Sequence, residues 1–169
     1  PADINAITID AHSNIVSKDY QYIGTGAAIE AAHISDKNIA VANTKIDLGS
    51  NAEFYVGDTI KANSTKTEND ITTVTHGYVD VGGGSISIGA RNDAVMASST
   101  AVNVWGLAGY AGTDNVVEYV GDVDVNINSD IETANGDVRI AAGRDSAGNT
   151  GIISLDAESL LANNTGIPI

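Results

Sequence analysis

The chain has 169 residues and no cysteine: length enough for one buried core or several repeats, and no thiol for disulfides, zinc-thiolate sites or redox chemistry. Its 22 acidic residues against 8 lysines and arginines give a formal charge of -14, which repels phosphate and so excludes nucleic acid and anionic membrane surfaces as partners. Hydrophobic residues at 43%, mainly Ala, Val and Ile, exclude a disordered chain, and no apolar run approaches the roughly 20 residues of a membrane-spanning helix.

The start, Pro1-Ala2-Asp3, has neither a basic nor an apolar leader region, so the chain is expected to be processed or cut from something longer. Ile7 and Ile9 flank Thr8 and open a short strand with one buried face. Gly26 to Ile34 comes nearest to helical spacing, through Ala27, Ala28, Ala31 and Ala32, but its glycine neighbours and lack of a large apolar stripe argue against a helix. Further alternation marks strands at Ile46 and Leu48, Val79 and Val81, Ile86 and Ile88, Val123 to Ile127, Val138 to Ile140 and Ile153 to Ala157. Turn-rich pieces separate them: Gly82-Gly83-Gly84, Gly106 to Asp114, Asn135-Gly136-Asp137, Gly143 to Gly151 and Asn163 to Gly166. Trp105 to Asp114 lacks the alternation and is expected to protrude as a loop.

Sliding the sequence against itself at an offset of 79 brings Ile46, Leu48, Ser50, Glu53, Gly57, Asp58 and Ala62 onto Val125, Ile127, Ser129, Glu132, Gly136, Asp137 and Ala141. Ile7, Ile9, Ala11 and Val16 meet Ile86, Ile88, Ala90 and Val95 at the same offset. The expected organisation is therefore a single β-solenoid segment over 1–169, made of two degenerate units, roughly 1–79 and 80–158, plus a remainder. A shorter phrase recurs as Gly57-Asp58-Thr59-Ile60-Lys61-Ala62, Gly84-Ser85-Ile86-Ser87-Ile88-Gly89-Ala90 and Gly136-Asp137-Val138-Arg139-Ile140-Ala141-Ala142. Its glycines are spaced by 27 and 52, which suggests a rung length near 26. Four rungs in each unit satisfy the same arithmetic, so rung length stays open. One rung cannot bury its apolar stripe alone; stacking at strand spacing makes a continuous core.

The Gly-Asp phrase, set among Ala-, Gly- and Asn-rich strands, resembles the repeat regions of the filamentous haemagglutinin class of secreted adhesins, including the leukotoxin-type filamentous adhesins of Gram-negative bacteria. The resemblance is clearest from Ile46 to Ala62 and from Val123 to Ala162. It implies a right-handed parallel β-helix, an extracellular or cell-surface location, and a non-enzymatic role in attachment or filament formation, with no catalytic residues carried over. The implied partners are neighbouring copies or further repeats end to end, and a cell-surface glycan or protein.

Several residues invite chemistry. Asp122, Asp124, Asn126 and Asn128 alternate along one strand and would present four oxygens to calcium, or simply form a polar outer face. His12, His33 and His76 are spaced by 21 and 43, which would stack them into a metal ladder only on a rung length of about 21. Trp105, Tyr110 and Tyr119 gather around the irregular segment and are candidates for stacking on sugars or a protein partner, with core packing as the plainer role. No Gly-x-Ser-x-Gly elbow occurs, and no Lys-Ser or Lys-Thr follows Gly82-Gly83-Gly84. Two further readings stand beside the shaft: a β-sandwich fibre subunit donating Ala2 to Ala11 as a strand to the next copy, and a polysaccharide-acting β-helix enzyme using some of the 22 acids.

Overall fold

The computed structural model describes residues 6–57, 59–68, 71–80, 83–134 and 136–168, with the side chains of 59–64, 68, 75–80 and 168 outside that description. The protein is all-β, 86% strand, with no helix among the described residues. Its elements are β1 (Ala6–Leu48), β2 (Glu53–Val56), β3 (Thr59–Glu68), β4 (Ile71–Asp80), β5 (Ser85–Ile127), β6 (Asp130–Thr133), β7 (Val138–Ala142) and β8 (Ile153–Pro168). β1, β5 and β7 lie in that order in one sheet with β8 also on β5; β2 pairs β6 in parallel, and β3 pairs β4 antiparallel.

β1 and β5 are 43 residues each. A straight strand of that length would reach roughly 140 Å and leave its apolar stripe uncovered. Each instead doubles back, which puts the inward side chains of its outbound arm against those of its own return arm. In β1, Ser17 Oγ donates to Asn38 Oδ1 at 3.0 Å and Gln21 Nε2 to Asp36 Oδ1 at 2.8 Å. In β5, Asn92 Nδ2 donates to Asp122 O at 3.1 Å, Asn115 Nδ2 to Ser98 O at 2.9 Å, and the Thr100 and Thr113 hydroxyls meet at 2.6 Å.

Positions about 79 apart lie side by side on β1 and β5: a Cβ on Gly26 would stand 3.6 Å from the Trp105 side chain, one on Gly112 would stand 2.7 Å from His33, and one on Gly106 would strike the Ala27 carbonyl. β7 continues the stack at an offset of 52, Ile86 facing Val138 and Ile88 facing Ile140, and β8 at an offset of 59, from Ala94 facing Ile153 to Gly109 facing Pro168. The offset of 79 exceeds that of 52 by 27, the spacing of Gly57 and Gly84, and the β3–β4 hairpin fills that interval. The seven by which 59 exceeds 52 fall in the loop Gly143 to Gly151. Neighbouring positions therefore stand at offsets of 52 or more, which corrects the rung length near 26: the repeated glycine phrase marks the ends of a hairpin, not one turn of the stack.

The chain divides into two compact units, the first from Pro1–Ala11, Lys45–Arg91 and Val123–Thr150, the second from His12–Thr44, Asn92–Asp122 and Gly151–Ile169. The first has an apolar centre of Ile46, Val56, Ile86, Ile88 and Ala90, lined by Ile7, Ile9, Phe54, Val125 and Ile127. Each fully buried Ile or Val contributes about 1.5–3 kcal/mol. The second has a smaller apolar cluster, Ala32, Ile34, Val102 and Val104 with Ala111, and shares its interior with buried Asp36, Thr44, Asn92, Ser98 and Thr100. These polar groups are held by each other: Ser98 Oγ donates to Asp36 Oδ2, and Thr44 Oγ1 to Asn92 Oδ1.

One local expectation is corrected. Trp105 to Asp114 is not a protruding loop but part of β5, at the place where the strand turns back. Its glycines and alanines break the two-residue alternation because adjacent backbones approach closely there, as Gly106 does to Ala27. The Ala-rich stretch 26–34 is strand, in keeping with the argument against a helix there, and forms the corresponding reversal of β1.

Candidate functional site: the edges of the strand stack

Among the described residues β8 is the outermost strand on one side of β5. Its residues Ile153, Leu155 and Leu161 sit directly over Ala94, Met96 and Val102 of β5. Met96 and Val102 are each 1% exposed, whereas Leu155 is 45% and Leu161 50% exposed. The inward column therefore continues onto β8, but no strand covers it, since β8 pairs only with β5 among the described residues. Unpaired strand edges present a row of N–H and C=O groups ready for another strand.

The loop before β8 is tightly built. Gly143 and Gly148 take φ of 82° and 96°, the left-handed region that glycine adopts without a Cβ clash. Asp145 accepts from Asn149 N at 2.7 Å and Asn149 Nδ2 at 2.8 Å, and pairs with Arg91 at 3.2 Å. Those bonds, led by the Asn149 side chain, hold its carboxyl below the ordinary 3.8. Beside β5, Asp93 accepts from Ile152 N at 2.8 Å and pairs with His12 at 2.7 Å, so one carboxylate clamps β1 and the approach to β8.

The residues singled out in the sequence do not converge. Trp105 and Tyr110 are half exposed, whereas Tyr119 is partly buried with its hydroxyl enclosed and without a partner. Asp122, Asp124, Asn126 and Asn128 are all exposed, alternating with half-buried Val123, Val125 and Ile127. Among the described residues no three His, Cys, Asp or Glu side chains gather as metal ligands. His12 lies on the outbound arm of β1 and His33 on the return arm, the latter 3.3 Å from Asp114, so these two form separate ion pairs and no ladder. The His76 side chain lies outside the described residues.

Two features were missed in the sequence. One is a shallow depression of about 240 Å³ on the β2–β6 pair, where Glu53 faces Asp130 and Tyr55 faces Glu132, with Phe54 also lining it. Its three carboxylates can accept hydrogen bonds from hydroxyls or ammonium groups beside the half-exposed Tyr55 ring. The other is a Tyr-x-Gly pattern, at Tyr22–Gly24, Tyr55–Gly57, Tyr110–Gly112 and Tyr119–Gly121, in which each tyrosine hydroxyl lies over the glycine two residues on. Four of six tyrosines obey it, a repetition visible in the sequence. Comparison with protein-family models, curated proteins and solved structures gives no match to this chain.

Proposed function

We propose that this chain is a non-enzymatic segment of a β-solenoid, a right-handed parallel β-helix of the filamentous haemagglutinin type, that forms part of an extracellular adhesin or filament. The observation that carries the reading is the uncovered column of Leu155 and Leu161 over fully buried Met96 and Val102. Half-open leucines along a strand edge invite a further strand, whether a later pass of the same chain or a neighbouring copy. The successive passes, β5 at an offset of 79 from β1 and β7 with β8 at offsets of 52 and 59 from β5, have the character of a stack that another pass extends.

The test is sedimentation velocity across a concentration series with electron microscopy of the same samples. Self-association into rods, abolished by Leu161→Asp, is expected. A chain that stays monomeric at every concentration while keeping a β-type circular dichroism spectrum would overturn the reading.

The depression at Glu53, Tyr55, Asp130 and Glu132 favours a second reading, in which an outer face of the stack binds or cleaves polysaccharide. Affinity and turnover against a glycan panel distinguish the two, with Glu53→Gln and Glu132→Gln as the diagnostic variants. The strand-donation alternative is constrained by the fact that Ala6–Ala11 already forms the start of β1 and residues 2–5 lie outside the description.

A further inference from the structure

We infer that the outer face of β5 around Trp105 is a binding site for uncharged polysaccharide, which lays the apolar face of a pyranose ring on the indole and its hydroxyls on Asn103, Asn164 and Tyr22. This goes beyond the shaft reading and does not rest on it, since a single chain can hold a sugar without associating.

β5 is flanked here on both sides, by β1 and by β8. Val102 and Val104 are buried inward, so Asn103 and Trp105, which alternate with them, point outward. On β8, Asn164 stands directly beside Trp105 and Ala162 beside Asn103. On β1, the offset of 79 puts Gly26 beside Trp105 and Gly24 beside Asn103. All of these positions belong to the second compact unit.

The indole is backed but not covered. A Cβ on Gly26 would meet it at 3.6 Å, ordinary van der Waals contact, so the ring rests against β1 while Trp105 stays 44% exposed. Its neighbours Gly24, Gly26 and Ala162 are too small to reach across it. An indole held in this way offers a flat apolar surface, which matches the C–H face of a pyranose.

The polar groups around the ring suit hydroxyls. Asn164 Nδ2 donates to Asn103 Oδ1 at 3.0 Å, which fixes both amides beside the indole. Asn164 Oδ1 then remains as an acceptor and Asn103 Nδ2 as a donor, neither with a protein partner among the described residues. The Tyr22 hydroxyl, lying over Gly24, adds a group that both donates and accepts. An aromatic platform with a few fixed polar groups is the usual make-up of a small-molecule site.

Charge and size decide the class of ligand. Segments 22–26, 101–105 and 160–164 contain no charged residue, in a chain whose formal charge is -14. A cationic ligand finds no carboxylate on them, and an anionic one is repelled by the chain as a whole. A protein partner needs a wider apolar area than Trp105 and Leu160 provide among small and amide side chains.

Trp105 is the only tryptophan of the chain, so tryptophan fluorescence reports on this face alone. The probes are cellohexaose, laminarihexaose and mannohexaose, titrated into the intact chain, with hexagalacturonate as the charged control. At least one neutral hexasaccharide is expected to shift the emission saturably at millimolar concentration or below, and hexagalacturonate to leave it unchanged. By calorimetry the same sugar should bind about tenfold more weakly to Trp105→Ala, as for an aromatic anchor at the centre of a site, and Trp105→Phe should restore part of the loss. Asn103→Ala combined with Asn164→Ala should weaken binding severalfold, and Glu53→Gln combined with Glu132→Gln should leave it unchanged. Circular dichroism of each variant checks that the fold is kept. The absence of a saturable shift with every neutral sugar would overturn the proposal. Undiminished binding to Trp105→Ala would do so too, as would a loss with the Glu53 and Glu132 substitutions, which places the sugar on the β2–β6 pair. An emission shift on concentrating the chain without sugar, in step with its sedimentation, would also overturn it by placing a second copy on this face.

Discussion

The Asp10 carboxylate of β1 accepts two hydrogen bonds from Ser146, one from the backbone N–H at 2.7 Å and one from the hydroxyl at 2.6 Å. The contact joins positions 136 residues apart and anchors the loop before β8 to the first pass of the chain. Charge-assisted bonds are worth about 1.5–3 kcal/mol when buried, and solvent screening at this exposed site reduces that to about 1 kcal/mol. Asp10→Ala, which removes both bonds, is expected to lower stability by that amount in urea unfolding, Ser146→Ala, which keeps the backbone N–H bond, by less, and the double variant by little more than Asp10→Ala alone. Full additivity would show that the two residues do not act as a pair.

Much of the core was legible because alternation is a direct consequence of strand geometry. Ile7, Ile9, Ile86 and Ile88 read as inward residues and pack together in one apolar centre. The offset of 79 reappears as neighbouring positions on β1 and β5, because stacking puts like residues on like. The doubling back was not legible. Nothing in the alternation of β1 says that Gln21 and Asp36 will face each other, since a polar pair in an enclosed interior reads in sequence like a pair on an outer face. For the same reason the sequence left Tyr119 open between a surface aromatic and a core residue; its ring lies over Gly121 with its hydroxyl enclosed.

The loop 143–151 is expected to loosen in acid. The Asp145 carboxyl is held below 3.8 in the folded chain, principally by the Asn149 side chain, so its ionised form is favoured by folding. A depressed folded value gives stability that is present above the unfolded value and is lost as pH falls through the folded one. The protection of the Gly148 and Asn149 amides, whose N–H groups bond to Asp145, relative to their intrinsic exchange rates should therefore fall below pH 3.8. In Asp145→Asn the acid dependence should vanish, with exchange already faster at neutral pH.

Glycine substitutions should separate backbone from side-chain crowding. A Cβ on Gly112 meets the Tyr110 hydroxyl at 2.6 Å and the His33 ring at 2.7 Å, both of which can swing away, so Gly112→Ala should cost only about 1 kcal/mol. A Cβ on Gly106 meets the Ala27 carbonyl, which is held in the sheet, so Gly106→Ala should cost about 2–3 kcal/mol. Thermal melts of the two variants check the order, and Tyr110→Ala should relieve part of the cost of Gly112→Ala while leaving Gly106→Ala unchanged.

Asp36 should tolerate amidation better than truncation. Its oxygens accept from Gln21 and Ser98, and Asn115 occupies the matching position at the offset of 79. Asparagine keeps an acceptor for Gln21 and can donate to the Ser98 oxygen, so Asp36→Asn should stay within about 1 kcal/mol of the parent. Asp36→Val leaves the buried Ser98 hydroxyl unpaired and takes the acceptor from the half-buried Gln21 amide, and a loss of about 2–4 kcal/mol is expected in urea.

The inward column offers a comparison between a covered and an uncovered residue of the same stack. Met96 is buried on all sides and Leu155 sits directly over it, half open. Met96→Ala removes a side chain that leaves a cavity, which costs about 2–4 kcal/mol. Leu155→Ala removes one that already touches water, and about half of that is expected because the lost transfer free energy scales with the area that was buried. At low protein concentration the two variants should therefore differ by about 1–2 kcal/mol. If Leu155 is covered by another pass when chains associate, the gap should narrow as concentration rises, since assembly then stabilises the parent more than the alanine variant. A gap that stays constant from micromolar to millimolar protein would mean that no strand closes over Leu155.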